Sequence, residues 1–498
     1  VSPASAPRSQ LAGLAIVGLG ASIAPLDFSV NVAFPAITAA FALETREIRW
    51  VAVSYVLTYG SLMLAFGALG DRIGYLRVFR AGLLLGALAF TLCALAPAYG
   101  WLLAARVLQG IAVALTLSCA PALATALFDE GRRTWALSAY AAMGAIAGVV
   151  APLAGGAAMS LLGWPGVYWL RVPVALIAFF CVPLLAEEMK RGLKGGSKQG
   201  LKPPLPPGVP PPLAHRSNET IPHSPPAFDL TSMVLLAASM ALLLLAPAVM
   251  RSDALLWPAL PLGLSGTMLL AFYVYRQRIS TTPFVSRRVL RDADFVIPNL
   301  AAIAVQTASF AIPLVLPFYL LRTGAWEPPA IGMLLASWAG GTLAGSALAP
   351  RLVRRMGVRQ AAFTGGMLVV GGLAAIALWS STPHILPMLV CLLVQGAGIG
   401  LFQVAYSDIV VAALPISQRG VAGSLTMVTR TIGIVLGASL LIWVLQATEA
   451  AALANGFGRE AAFMVGFRAA FITAATIAGA CFALSSLRTA TWFGRSLR

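Results

Sequence analysis

Asp27 lies within an apolar stretch running from Leu11 to Phe41 and is the sole carboxylate between Val1 and Glu44. A lone charge at mid-bilayer depth costs roughly 2.5–3.5 kcal/mol even on the lenient insertion scale, so an acid kept there is expected to work. What a carboxylate can do in such a place is take up and release a proton or bind a cation. Asn31 follows one helical turn along the same face. Arg106, Arg171, Asp408 and Arg430 are further charged residues read at membrane depth. Asp408 and Arg430 are expected to form a buried ion pair, because unlike charges in low dielectric attract, and a structural role is preferred for both.

Other chemistries find little support. The three histidines are His215, His223 and His384, and the five cysteines, Cys93, Cys119, Cys181, Cys391 and Cys481, sit in apolar segments without a Cys-x-x-Cys pair. Neither a zinc site nor a disulfide framework is expected, and no metal. Enzymatic chemistry would call for clustered His, Cys or paired carboxylates in a pocket, so the chain is not expected to be an enzyme. A Gly-x-x-x-x-Gly-Lys-Ser/Thr phosphate loop is missing as well. Energy for any work is therefore expected from an ion gradient rather than from a cofactor or ATP, with protons or sodium both open.

The elements that hold these residues are set by composition. The 498 residues are 59% hydrophobic and 10% charged, with mean hydropathy +0.86, against roughly 45–50% apolar in soluble domains. A net charge of +17 raises the question of nucleic acid, but the basic residues recur between apolar blocks instead of clustering, so membrane topology is the better account. The first apolar block is too long for the apolar region of a cleavable signal peptide, and none is expected.

A membrane helix needs roughly 20 apolar residues. On that ruler spans fall near 11–40, 50–69, 78–97, 101–127, 135–160 and 165–186, then near 229–249, 254–275, 295–321, 330–350, 360–380, 385–413, 421–447 and 465–487, fourteen in all. Residues 187–228, with Lys190, Arg191, Lys194 and the proline runs at 203–207 and 210–212, are expected to form a solvated linker. Placing the N-terminus in the cytoplasm puts about 25 of the 34 Lys and Arg on that side, so both termini are expected there. Asp71-Arg72-Ile73-Gly74 aligns with Arg354-Arg355-Met356-Gly357 at an offset of 283, Gln109-Gly110 with Gln395-Gly396 at 286, and Gly148 with Gly433 at 285. A shared offset is what a duplication leaves. The expected all-α membrane architecture is a six-helix bundle at 1–186, the linker at 187–228, two inserted helices at 229–276 and a second six-helix bundle at 277–498, with a central site between halves.

Four motifs resemble those of the fourteen-spanner drug:proton antiporter branch of the major facilitator superfamily. Leu26-Asp27-Phe28-Ser29-Val30-Asn31-Val32-Ala33-Phe34-Pro35 is similar to that branch's first-helix signature. Gly67, Asp71, Arg72, Gly74 and Arg77 match the superfamily's loop between helices 2 and 3, except that Tyr75 and Leu76 replace the usual basic pair. Arg106-Val107-Leu108-Gln109-Gly110 is similar to the Arg-x-x-Gln-Gly motif of helix 4, and Gly144, Gly148, Pro152, Gly155 and Gly156 resemble the antiporter signature of helix 5. Gly163 to Pro173 looks like the Trp-rich start of helix 6, with Arg171 where a neutral amide is usual, and Arg430, Gly433 and Gly437 fit a helix 13 pattern.

The resemblance implies a multidrug efflux antiporter working by alternating access. In it Asp27 and Arg106 couple proton to substrate, although snorkelling to the outer interface is a rival fate for Arg106. Asp71 would gain from a helix N-terminus and pair with arginines as a conformational latch. Asn31, Tyr55, Tyr59, Gln109, Gln306 and Tyr319 are candidates to line the cavity with Asp27 and Arg106, since polar side chains in spans face the interior. The substrate is expected to be amphipathic and cationic; a single metabolite or lipid-like anion is the alternative, given the arginines. The expected setting is the inner (cytoplasmic) membrane, as a monomer, with protons and the lipid bilayer as the other partners.

Overall fold

The computed structural model describes residues 8–45, 47–128, 132–196, 235, 238–239, 242, 259–279, 292–324, 326–382, 384–413 and 419–493. Among them every regular element is helical. The reason is the solvent: lipid offers no partner for a backbone N–H or C=O, so a spanning segment must satisfy its own.

The first span is built in pieces. Helix α1 (Arg8–Ala21) stops, a 3-10 turn (Pro25–Asp27) follows, and α2 (Phe28–Ala40) resumes. Pro25 accounts for the break, because its ring excludes the carbonyl four residues back, that of Ala21, and it has no N–H to donate. Asp27 is thereby left at the N-terminal end of α2. The chain continues through α3 (Arg49–Ile73), α4 (Tyr75–Ala94), α5 (Tyr99–Ala126), α6 (Arg133–Leu162), the short α7 (Gly166–Trp169) and α8 (Arg171–Gly196). After α9 (Ala259–Ile279) come α10 (Ala293–Ser309), α11 (Ala311–Gly324), α12 (Pro328–Met356), α13 (Val358–Ala377), α14 (Ile385–Ala413), α15 (Arg419–Ala454), α16 (Arg459–Ser486) and α17 (Thr489–Phe493).

Eleven segments are long and apolar enough to cross a membrane, or twelve if α3, bent by 48° between Met63 and Ala65, is one span. Each corresponds to an apolar block read from the sequence. The block near 229–249 lies largely outside the described residues, as does most of the proline-rich segment, and the apolar helix at Pro261–Tyr273 is shorter than a span. The expected fourteen therefore stand at eleven or twelve among the described residues. Helix α8 also runs to Gly196, past the expected start of the linker at 187, since Ala186-Glu187-Glu188-Met189-Lys190-Arg191 are good helix formers.

Two of the aligned sequence positions have the same backbone form. Gly74 (φ 98°) ends α3 and Gly357 (φ 90°) ends α12, each in a positive-φ conformation, and each is followed by a helix of 20 residues. Only glycine adopts such a turn without strain. Gln109 and Gln395 are likewise both fully buried, on α5 and α14.

Neighbouring helices approach through small residues, as expected where lipid supplies no hydrophobic push. A Cβ added at Gly341 or Gly345 of α12 would lie 2.3 Å from the Leu393 and 2.1 Å from the Ala397 carbonyl oxygen of α14, so the two backbones run side by side in parallel. Helix α6 instead crosses α12 antiparallel: a Cβ at Gly156 would be 2.6 Å from the Pro328 oxygen, and one at Gly332 would be 2.3 Å from the Pro152 oxygen.

Candidate functional site

Asp27 gathers three side chains from two other helices. Arg106 of α5 donates from Nη1 to Oδ1 (2.5 Å) and from Nη2 to Oδ2 (2.9 Å). Arg171, at the start of α8, donates from Nη1 to the same Oδ1 (2.6 Å), and Gln109 donates to it from Nε2 (2.9 Å). Arg106 and Gln109 cooperate because they are three residues apart on one helix face, and Arg106 Nη1 also donates to Gln109 Oε1 at 2.9 Å.

The cluster is held from behind. Arg106 Nε donates to the Val51 carbonyl oxygen of α3 at 2.7 Å, and its guanidinium lies 4.5 Å from the Tyr55 ring centre. Arg171 sits over Phe90 (4.7 Å) and Tyr168 (5.1 Å), with Nε on the Val167 oxygen at 3.3 Å. Both guanidiniums are sealed, at 1% and 0% exposure, while Asp27 retains 16%. Asp27 is thus the least sealed member of the cluster.

The corresponding position in the second half is neutral. Trp338 Nε1 donates to Gln395 Oε1 at 2.5 Å, and Gln395 Nε2 donates to Ser309 Oγ at 2.9 Å. Phe28, next to Asp27, meets the Trp338 ring edge to face at 5.8 Å and joins the two networks.

A sequence model of the Major Facilitator Superfamily matches residues 12–290, more than half of the chain. The chain belongs to the Major Facilitator Superfamily.

Relatives within the superfamily differ in what they carry. Over 425 residues, covering 85% of this chain and 86% of the relative, it is 22% identical to the riboflavin transporter RibZ of Clostridioides difficile (strain 630). Over 456 residues, covering 90% and 78%, it is 25% identical to the multidrug resistance protein Stp of Mycobacterium tuberculosis (strain CDC 1551 / Oshkosh). A solved bacterial homolog of the human lysosomal transporter Spinster, inward-facing and unoccupied, shares the fold with TM-score 0.62 at 17% identity over 98% of each chain. This Major Facilitator chain is a multi-pass membrane transporter of small molecules and not an enzyme.

The remaining expected residues of this Major Facilitator protein fall into four groups: cavity candidates, the Asp408–Arg430 pair, the latch and the helix 5 motif. Tyr55, under Arg106, packs against Tyr59 with ring centres 5.1 Å apart and planes tilted by 54°; Asn31 is buried on α2; and Gln306 is half-buried on α10, where a Cβ at Gly433 would lie 2.5 Å from its own Cβ. Tyr319 is not brought to the cluster. It is fully buried among Trp379 and Phe467 and donates to the Ser380 oxygen at 2.7 Å, so its polarity is spent on the turn after α13.

Asp408 and Arg430 do not pair. The Tyr406 hydroxyl meets Thr429 Oγ1 at 2.9 Å, so the face of α14 that looks at α15 is that of Tyr406. Two residues further, about 200° around a helix, Asp408 points away and is exposed. Snorkelling of Arg106 is likewise overturned by its ion pair and its 1% exposure.

Asp71 is exposed in the last turn of α3, and the group that donates to it is the Tyr75 hydroxyl; among the described residues no arginine forms an ion pair with it. Tyr75, at the first position of α4, is four residues on and faces back across the Gly74 turn, whereas Arg77 turns its Nη1 to the Ile73 oxygen at 3.4 Å. Arg72 is exposed beside them, and Gly67 lies one helical turn before on α3. In the antiporter motif Gly155 backs onto Ser29 of α2, and Gly156 and Pro152 meet α12. Gly144, three turns further down, meets no described residue within 4 Å, and neither does Gly340, its counterpart in the antiparallel register of α12; Gly148 only touches Phe28 at 3.9 Å. The two helices are joined at the Gly156 end.

Sequence reading left Arg171 outside the core of the site. Its signal was an arginine where the resemblance called for an amide.

Proposed function

We propose that the chain is a proton-coupled exporter of amphipathic small molecules, of the fourteen-spanner drug:proton antiporter branch, that works by alternating access with Asp27 as the proton carrier. The observation that carries this reading is the Asp27 cluster: one carboxylate, on a side chain less sealed than its partners, that balances two buried guanidiniums. Protonating Asp27 removes the charge that both arginines share, so proton uptake must be accompanied by a rearrangement around α2, α5 and α8. Such a two-state element, biased by a ligand, is what coupling requires.

The contact of α6 with α12 at Gly156 supplies the mechanical part. Rocking the halves about this contact exposes the Asp27 cluster to one side at a time. With both termini in the cytoplasm of an inner-membrane protein, the joined end faces out. The halves are the bundles at 1–186 and 277–498, the chain acts as a monomer, and two helices are inserted between the bundles. Each proton returning inward supplies about 2.3 kcal/mol per 100 mV.

Two charge classes of substrate fit. A lipophilic cation would be drawn by the Asp27 carboxylate, but three side chains already occupy its oxygens. That occupation favours the alternative, an anion drawn by the arginines. Transport in proteoliposomes with an imposed pH gradient and matched cationic and anionic amphiphiles tests the whole reading. Accumulation that follows the pH gradient supports it, and accumulation indifferent to the gradient refutes proton coupling.

A further inference from the structure

The arginines of the interior outnumber their counter-charges. Arg106 and Arg171 share Asp27, and Arg430 of α15 has no ion-pair partner among the described residues. Its Nε is buried without a hydrogen-bond partner, as is Nη2 of Arg171. A guanidinium cannot shed its charge in a protein, so within the group of Arg106, Arg171, Arg430 and Asp27 two positive charges are left over. Fully buried, an uncompensated charge is costly; one that is retained marks a place where something else arrives.

Arg430 is placed to meet a ligand. It is half-buried rather than sealed. Its neighbour Thr431 fits against Gly60 of α3, where an added Cβ would lie 2.4 Å from Thr431 Oγ1, so Arg430 stands where the second half meets the first. Tyr59 is within electrostatic reach of both Arg430 and Asp27. From Tyr59 the aromatic surface continues to Tyr55 at 5.1 Å and ends beneath Arg106. One turn along α15, Gly433 brings Gln306 alongside.

We propose that Arg430 is the head-group site for the transported substrate, and that this substrate is an amphipathic organic anion. A carboxylate or phosphate offers two oxygens to the guanidinium fork, the geometry that arginine satisfies best. Tyr59 and Tyr55 flank the apolar body. The proposal rests on the transporter reading above for the existence of a carried amphipath, and it adds the sign of the charge and the residue that reads it.

The test is equilibrium binding in nanodiscs of phosphatidylcholine, with 1-pyrenebutyrate and its trimethylammonium analogue as probes of equal body and opposite charge. The wild-type protein is expected to bind the carboxylate at least tenfold more tightly than the cation. Arg430→Gln should remove that preference by weakening pyrenebutyrate about tenfold or more, with cation binding no weaker than in the wild type, and Arg430→Lys should restore most of it. Tighter or equal binding of the cation by the wild type overturns the proposal, as does unchanged pyrenebutyrate affinity in Arg430→Gln. Should Arg430→Gln not fold, the wild-type preference and the Arg430→Lys variant still decide. A parallel arm with phosphatidylglycerol in the disc separates the two sources of such a head group: displacement of the probe that depends on Arg430 assigns a lipid phosphate, and none assigns a free amphipathic carboxylate. Binding needs no gradient, so a failure of proton-driven transport would sink the antiport reading alone, and charge-blind binding would sink this one alone.

Discussion

Arg106 meets Asp27 with both terminal nitrogens, one on each carboxylate oxygen at 2.5 and 2.9 Å, while its Nε is fixed to the Val51 oxygen at 2.7 Å. The arginine is therefore anchored in the wall of the bundle, and the acid is the partner free to leave. On the antiport reading proposed above, that division favours coupling by release of Asp27 over swinging of Arg106.

Replacing Asp27 with Asn should abolish proton-driven uptake into inside-out vesicles while the protein still reaches the membrane. The amide keeps the shape but cannot carry the proton, and it no longer balances Arg106 and Arg171. Uptake that still responds to the pH gradient would remove Asp27 from the mechanism.

The two arginines should differ in their weight on stability. Arg106→Gln breaks both contacts to Asp27, that to Gln109 and that to Val51, with an expected cost of about 3–5 kcal/mol for disrupting a buried pair. Arg171→Gln loses one contact to Asp27 and a long one to Val167 and should cost less, because Arg106 still balances the acid. Thermal unfolding in detergent checks the order, and an equal or reversed order contradicts this account of the cluster.

Gly156→Val should impair transport more than Gly144→Val. The first places a branched side chain where even a Cβ would stand 2.6 Å from a backbone oxygen of α12, and backbone cannot move aside as a side chain can. The second enters open space in this state. Labelling of a single cysteine on each side of the membrane reads the effect: Gly156→Val should raise accessibility from the joined side, and no change there would argue against that contact as the closure.

At the Gly74 turn, backbone should matter more than the side-chain bond. Gly74→Ala forces an L-residue to φ 98° and should cost about 1–3 kcal/mol. Tyr75→Phe removes an exposed hydrogen bond to Asp71 and should cost about 1 kcal/mol or less. Unfolding midpoints of the two variants are the measurement, and a larger loss in Tyr75→Phe would show that the Asp71 contact, not the turn, holds this corner.

Much of the fold was legible because its determinants are local. A bilayer demands about 20 apolar residues per helix, so the blocks at 78–97 or 385–413 reveal α4 and α14 without knowledge of any neighbour. The duplicated Gly74 and Gly357 were readable too, since a turn of positive φ leaves its mark in residue type. Asp27, Arg106 and Gln109 were legible by cost: polar groups persist in an apolar helix only where they meet partners.

What the sequence determined by itself, then, was the membrane class, the positions of the eleven or twelve spans among the described residues and the polar residues that they carry. The partners were decided by tertiary structure. Which way a helix is rotated depends on side chains tens or hundreds of residues away, and a lipid-facing and a protein-facing surface can be equally apolar, so periodicity carries little signal for rotation. Hence Arg171, 144 residues from Asp27, closes the cluster, Tyr319 turns to Ser380, and Asp408 turns away from Arg430, leaving that guanidinium without a protein counter-charge among the described residues.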